Sequence, residues 1–194
     1  MKKHVLLLAA AALCASAVSL ADDWSGPERY AAKLTSYNEV ATVSSVAKGR
    51  FSATVDVVNQ MITFEVSYED LEGAVTMSHI HFGAPGTTGG ISLWLCQTTI
   101  SPAPASVAAT TQTCPASPGT VSGTLTATAV VGPGTTPEVA TATAGQGISA
   151  GQFAEIVRAI RAGYTYANVH TVKFPAGEVR GQLRRVRGRG DHDD

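Results

Sequence analysis

Three histidines have the residue type and the spacing that suit metal chemistry. His79 and His81 are separated by one residue, and His170 lies in a later segment of strand-like composition. Alternate residues of a β-strand project from one face about 6–7 Å apart, so both imidazoles of the first pair can approach one ion. His170 can supply a third nitrogen from across a sheet. Because three neutral imidazoles suit zinc or copper, the pattern predicts a mononuclear metal site at these residues.

The same spacing also has a purely structural interpretation. Two histidines in alternate positions occur by chance, and imidazole N–H groups donate hydrogen bonds to nearby backbone. A glycine-rich turn, residues 83–90, follows His81 almost directly. In this alternative the histidines hold the turn in place and bind no metal. The sequence leaves both interpretations open.

A second group of polar residues surrounds and follows His170. Glu178 and Arg180 come after a predicted turn at residues 175–177 and lie two positions apart, hence on one strand face. We expect them to pair with each other or with groups across the sheet, in a structural role. In the alternative, Asn168 and Glu178 accept hydrogen bonds from histidine rings and orient a metal ligand.

The first 21 residues have the pattern of an export signal. Lys2 and Lys3 precede an apolar run over residues 5–18, and the small residues Ser19 and Ala21 predict cleavage after Ala21. The apolar run is shorter than the roughly 20 residues of a membrane span. We therefore expect a signal peptide at residues 1–21 and a mature chain, secreted or periplasmic, without a transmembrane segment.

Cleavage at this point removes Cys14 and leaves Cys96 and Cys114. Two cysteines in an exported protein, separated by a loop rich in Pro, Ser and Thr, most often form a disulfide. The alternative, a thiolate metal site, requires closer spacing such as Cys-x-x-Cys, which the sequence lacks. We predict a Cys96–Cys114 disulfide.

The mature chain is dominated by the alternation typical of strands. Residues 48–57 and 62–68 alternate on either side of a polar break at Asn59 and Gln60, which predicts an antiparallel hairpin. Further strands are predicted at 74–82, 91–95, 119–130, 164–172 and 179–186, and surface loops at 97–118 and 131–147. A helical stripe occurs only at residues 152–162. The pattern predicts an all-β, antiparallel β-sandwich or barrel with one short helix.

Length and composition exclude several classes of protein. The chain has 194 residues, with 14 Lys and Arg against 15 Asp and Glu, so no overall positive field attracts nucleic acid. Its 44% hydrophobic and 15% charged residues are atypical of disordered chains and coiled coils. It contains no phosphate-binding loop and no G-x-G-x-x-G dinucleotide motif. No catalytic residue is assigned, and the sequence favours a protein that is not an enzyme.

Three segments in order resemble the CHRD domain, a module named from chordin and widespread in exported bacterial proteins. They read SHIHFGAPG at 78–86, NVHT at 168–171 and PAGEVRGQL at 175–183. Residues 34–40, LTSYNEV, resemble the opening motif of the family, with Ala41 and Thr42 where prolines are usual. The resemblance covers residues 29–185. With the export signal and the charged C-terminal residues, the expected organisation is a signal peptide at 1–21, a CHRD domain at 22–186 and a disordered charged tail at 187–194.

The resemblance implies an immunoglobulin-like, Greek-key β-barrel with a distant likeness to copper–zinc superoxide dismutase. In that enzyme a His-x-His strand supplies copper ligands, and His79 and His81 are the matching positions here. The full dinuclear site of that enzyme requires more histidines than the four that follow residue 21. A mononuclear site of three histidines remains compatible with this chain.

Two functions from different classes follow from the sequence. The favoured one is a non-catalytic exported module, binding or structural, whose Thr/Pro-rich loops contact an extracellular or envelope protein or a polysaccharide. The alternative is a mononuclear copper- or zinc-binding protein that uses His79, His81 and His170, with redox activity as a further step. Metal content distinguishes the two, because only the second function predicts a stoichiometric ion that is lost when the histidines are replaced.

Overall fold

The computed structural model describes residues 26–133 and 147–186. The predicted signal peptide at 1–21 and the predicted charged tail at 187–194 lie outside the described residues, as does most of the predicted loop 131–147. Within the described ranges the chain is mostly antiparallel β-sheet, and the predicted all-β fold is confirmed.

The strands form two four-stranded halves of one continuous sheet. The first half contains, in spatial order, β1 (Glu28–Thr35), β2 (Lys48–Asp56), β3 (Met61–Glu69) and β6 (Gly119–Thr126). The second half contains β5 (Gly90–Cys96), β4 (Val75–Phe82), β7 (Thr165–Thr171) and β8 (Val179–Gln182). A short β9 (Arg184–Arg185) pairs with β1, and the described helices are α1 (Ala105–Ala108) and α2 (Phe153–Arg161).

The two halves curl into a nearly closed barrel. β8 joins β1 through the pair Thr35 and Arg180, which links the halves on one side. On the other side β5 and β6 approach each other, although no ladder joins them in the part of the chain that is described. Because β6 lies beside β3 and β7 lies between β4 and β8, the spatial order departs from the chain order in the Greek-key manner.

The barrel interior is built by strand alternation. The β2–β3 hairpin places Phe51 opposite Val66 and Val55 opposite Ile62, all of them buried, while the residues between them face outward. Each such side chain contributes roughly 1.5–3 kcal/mol when it is fully buried. Helix α2 packs the apolar stripe predicted for it against this interior, through Phe153, Ile156, Val157 and Ile160.

Several predicted boundaries were wrong for local reasons. The predicted strand 119–130 ends at Thr126, because Ala127–Ala129 form a 3-10 turn. The predicted strand 179–186 is interrupted at Leu183, whose side chain is fully buried and whose N–H donates to the carbonyl of Thr165. Strand β1 was not predicted, since the small residues Ala31 and Ala32 weaken its apolar alternation.

Residues 97–118 lie at the surface with little regular structure, and three buried residues, Ala103, Val107 and Cys114, fasten them to the barrel as an outer layer. Val107 of the one-turn helix α1 is buried together with Trp94 and Met77, in a cluster separate from the barrel interior. The Gln97 side chain accepts a hydrogen bond from Ala103 and donates to the carbonyls of Ala108 and Thr111. The predicted Cys96–Cys114 disulfide, with a Cα–Cα distance of 5.0 Å, fastens the layer to β5.

Candidate metal centre

Neighbouring strands β4 and β7 carry the three predicted histidines on one face. In their register His79 lies opposite Asn168, and His170 lies opposite Met77. Side chains directly opposite each other in an antiparallel pair share a face. Ile80, between the two histidines of β4, faces the barrel interior. The histidines therefore lie on the outer face of the second half-sheet, beneath the surrounding turns.

The three imidazoles converge. The ring centroid of His79 lies 5.4 Å from that of His81 and 5.1 Å from that of His170, and the last two are 6.1 Å apart. One nitrogen from each ring lies within 4.8 Å of the others. Nitrogens bound to one tetrahedral ion at about 2.1 Å are separated by roughly 3.4 Å, so modest ring rotations bring all three to a common ion.

Backbone carbonyls orient two of the rings. His81 Nδ1 lies 2.9 Å from the carbonyl oxygen of Gly89, and His170 Nδ1 lies 2.9 Å from that of Pro175. A carbonyl only accepts, so in each ring Nδ1 donates and Nε2 of the neutral imidazole carries the lone pair. This is the tautomer that ligates a metal through Nε2.

His79 has no such hydrogen bond. Its side chain is 0% exposed, and neither ring nitrogen has a hydrogen-bond partner among the residues described. The ring instead meets the Trp94 ring edge to face, with centroids 4.1 Å apart. A buried polar group without a partner costs about 1–3 kcal/mol. The interpretation that the histidines only hold the glycine-rich turn in place fits His81, which hydrogen-bonds to Gly89. It does not explain why His79 is buried without a hydrogen-bond partner among the described residues.

Burial keeps two of the imidazoles neutral. Removal from water lowers the pKa of His79 well below its usual value of 6.5, and its histidine neighbours lower it further. Burial likewise lowers the pKa of His81 to about 3, with His170 adding to the effect. Because a protonated imidazole cannot ligate, these side chains are in the required state at neutral pH.

Tyr166 and Arg180 support the turn beside His81. The Tyr166 ring stacks on His81 at a centroid distance of 4.6 Å, and the Arg180 guanidinium lies 3.3 Å from the centre of the same Tyr ring. Arg180 also donates to the carbonyl of Thr87, while the Gly89 N–H donates to the Tyr166 hydroxyl. The predicted residue Arg180 thus fixes the turn that carries the carbonyl partner of His81.

Glu178 ties separate segments together beside the histidines. It is fully buried and accepts hydrogen bonds of 2.8 Å from Ser45 Oγ, Thr171 Oγ1 and the backbone N–H of Glu72. Among the described residues it forms no ion pair with Arg180 and no hydrogen bond to a histidine ring.

Glu39 is a buried acid that the sequence analysis did not single out. Its side chain is 5% exposed, and burial raises its pKa to about 7, against the opposing effects of Arg180 and Asn168. Glu39 Oε1 and Asn168 Oδ1 both lack a hydrogen-bond partner in the described part of the chain. A Cβ at Gly177 would lie 2.4 Å from Glu39 Oε1, so this glycine makes room for the acid. Asn168 lies opposite His79 in the sheet and also lowers the pKa of Glu39, so it is close to both the acid and the histidines.

Fold and site together define an all-β antiparallel barrel whose outer sheet face carries a buried cluster of three histidines. The family model described as the CHRD domain matches residues 30–183, and the chain belongs to the CHRD domain family. No curated protein and no solved structure gives a significant match. Among the described residues, no helix has the length and apolar character needed to cross a membrane.

Proposed function

We propose that this CHRD domain is a metal-binding module that holds one copper or zinc ion at His79, His81 and His170. The observation that carries the proposal is the state of His79, which is buried without a hydrogen-bond partner among the described residues. An ion shared with the other two imidazoles offsets the cost of burying this ring. Family membership itself suggests the coarser function, a binding or structural module.

The closed surroundings of the cluster favour a structural ion over a catalytic one. His79, His81 and His170 are 0%, 6% and 4% exposed. Three protein ligands leave a tetrahedral ion one further position, as in catalytic sites, but the burial of the rings closes that position to bulky substrates. In this proposal the ion fastens β4 to β7 and the domain is not an enzyme.

The proposal includes export of the mature chain. Cleavage after Ala21 delivers residues 22–194 to the periplasm or the cell exterior, where the Cys96–Cys114 disulfide persists. There the domain, residues 22–186, binds an extracellular or envelope partner. Intact-mass measurement on the exported protein tests the cleavage site, because retention of residues 1–21 contradicts it.

The metal proposal is tested on the mature chain, purified without a histidine tag and loaded separately with copper and with zinc. Mass spectrometry of metal content is expected to find one ion per chain after dialysis. The triple variant H79A/H81A/H170A is expected to hold none. The matched control is His192→Ala, which removes a histidine from the C-terminal segment and is expected to retain the ion.

Thermal unfolding in the presence of added metal detects binding even when the ion is too weakly bound to survive dialysis. A metal at 100 times its Kd stabilises the wild type by about 2.7 kcal/mol, and the triple variant gains nothing. Far-UV circular dichroism establishes that the variant is folded. A wild type that retains no ion and shows no metal-dependent shift refutes the proposal, as does a triple variant that retains metal equally well.

A further inference from the structure

The first half-sheet, β1-β2-β3-β6, presents an outer face that the histidine cluster does not use. Its register aligns side chains of the four strands in rows that project from this face. The central rows are Lys33, Arg50, Ser67 and Thr120, then Ala31, Ser52, Glu65 and Ser122, then Arg29, Thr54, Thr63 and Thr124. The face is therefore rich in hydroxyl groups, with basic residues concentrated on β1 and β2.

Three adjoining depressions run along this face. Their volumes are about 440, 360 and 410 Å³. The first two share Lys33, Arg50 and Ser67, and the second and third share Ala31, Ser52 and Glu65. Together they form one shallow trough, about 20 Å long over the six residue steps from Lys48 to Thr54.

Two positive charges in the trough have no ion-pair partner within residues 26–133 and 147–186. Lys33 on β1 lies directly opposite Arg50 on β2, and both side chains are exposed. Neither forms an ion pair with a described residue, whereas Lys48 nearby pairs with Glu69 and Asp70. Like charges directly opposite each other destabilise a sheet. The Lys33–Arg50 pair therefore does not help folding, but an anion placed between the two would be attracted by both.

We propose that this trough binds an acidic polysaccharide, with a uronate carboxylate held between Lys33 and Arg50. The planar guanidinium of Arg50 matches a carboxylate bidentately, and Lys33 adds a point charge. The hydroxyls of Ser67 and Thr120 continue the same row and exchange hydrogen bonds with sugar hydroxyls. A long, open, hydroxyl-lined trough fits an extended polymer with spaced carboxylates.

A nucleic-acid strand fits the same trough less well. Single-strand binding relies on exposed aromatic side chains on which bases stack. Among the described residues that line the trough, the aromatic ones, such as Tyr68 and Phe64, are buried.

The test measures binding of the mature protein to polygalacturonate and to neutral dextran by isothermal titration calorimetry in 20 mM salt. Polygalacturonate is expected to bind and dextran to bind at least tenfold more weakly. The variant K33Q/R50Q is expected to lose at least tenfold in affinity. Raising the salt to 0.5 M is expected to weaken wild-type binding, because it shortens the range of charge attraction.

The matched control, R158Q/K173Q, changes the net charge equally at residues outside the trough, each of which forms its own ion pair. It is expected to bind polygalacturonate within twofold of the wild type. K33Q/R50Q is expected to have a Tm no lower than the wild type, which separates lost binding from lost folding. The proposal is wrong if the wild type does not bind polygalacturonate, or if both variants lose the same affinity for it. It is also wrong if the wild type binds single-stranded DNA more tightly than polygalacturonate.

Discussion

The buried imidazole of His79 receives no hydrogen bond from the described residues and donates none to them. Replacing it with leucine removes two buried nitrogens that lack hydrogen-bond partners among the described residues and fills a similar volume. We expect metal-free His79→Leu to unfold with a free energy about 1–2 kcal/mol higher than the metal-free wild type. We also expect the variant to lose all stabilisation by added metal.

Urea unfolding with a chelator, and again with copper or zinc, measures both effects of this substitution. His192→Ala serves as the control, since it removes a histidine that is none of the three cluster residues. If metal-free His79→Leu unfolds more readily than the metal-free wild type, the buried imidazole stabilises the fold without an ion and the prediction is wrong.

Glu39 makes the stability of the metal-free protein depend on pH in a defined direction. Burial raises its pKa from 4.5 to about 7, so between these values the folded state holds a proton that the unfolded state releases. Its contribution to stability is complete below pH 4.5 and is lost as the pH rises through 7. The loss is at most about 3.4 kcal/mol, at 1.36 kcal/mol for each unit of pKa.

Glu39→Gln is expected to abolish this contribution. From pH 5 to pH 8 the unfolding free energy of the wild type should therefore fall relative to that of the variant. The lowered pKa values of His79 and His81 act oppositely, costing stability as the pH falls below 6.5, but they are common to both proteins. Parallel pH profiles for the two proteins, measured by urea unfolding with a chelator, would show that Glu39 is ionised when folded.

Some residues of the site can be predicted from the sequence and others cannot. The histidines are identified by their alternate spacing, because a strand turns that spacing into proximity. Tyr166 is detectable by the same rule, since it alternates with Asn168 and His170 along β7. Glu39 is not, because it follows the 3-10 turn Ser36–Asn38 and approaches Arg180 only through the tertiary fold.

At the scale of elements, the glycine-rich turn between β4 and β5 controls the orientation of His81. A Cβ at Gly89 would lie 1.9 Å from the carbonyl oxygen of Phe82, so Gly89→Ala must displace the backbone whose carbonyl accepts from His81. We expect this substitution to weaken metal binding at least tenfold, as measured by competition with a chelator.

Gly86 provides a matched control in the same turn. It has a φ of +74°, but a Cβ there meets nothing within 4 Å. Gly86→Ala is expected to cost about 1 kcal/mol of stability from its left-handed backbone, while the metal affinity changes less than twofold. Equal affinities of the two alanine variants would show that the Gly89 carbonyl does not position the ligand.

The elements themselves were predictable where side-chain burial alternates cleanly. The β2–β3 hairpin and α2 follow directly from their apolar spacing. The packing of residues 97–118 was not predictable, because Pro, Thr and Ala spacing carries no periodic signal and Val107 is the single large apolar residue buried in α1. The layer depends instead on tertiary contacts and on the Cys96–Cys114 disulfide.

At the scale of the whole molecule, one partly buried ion pair connects α2 to the barrel. Glu28 of β1 is 4% exposed and accepts hydrogen bonds from Arg161 of α2 and from Tyr30. Arg161→Ala leaves this carboxylate without its cation, and we expect a loss of about 2–3 kcal/mol in unfolding free energy. Chemical denaturation monitored by tryptophan fluorescence measures the loss.

Arg158→Ala is the control for this prediction on the same helix. Arg158 pairs with Glu155 at the protein surface, where such pairs are worth about 0.5 kcal/mol or less. A loss of similar size in both variants would mean that the Glu28–Arg161 pair adds nothing beyond an ordinary surface contact.

The enclosure of the histidines has a consequence for the rate of metal exchange. His81 lies under the turn at residues 83–90, and His170 is bound by the turn that carries Pro175. A chelator cannot reach an ion at these rings until one of the turns moves away. The release rate should therefore level off as chelator concentration increases, at the opening rate of the turns. Stopped-flow transfer to a coloured chelator measures that plateau, and Gly89→Ala should raise it, because the proposed site makes the residence time of the ion depend on the movement of the turns.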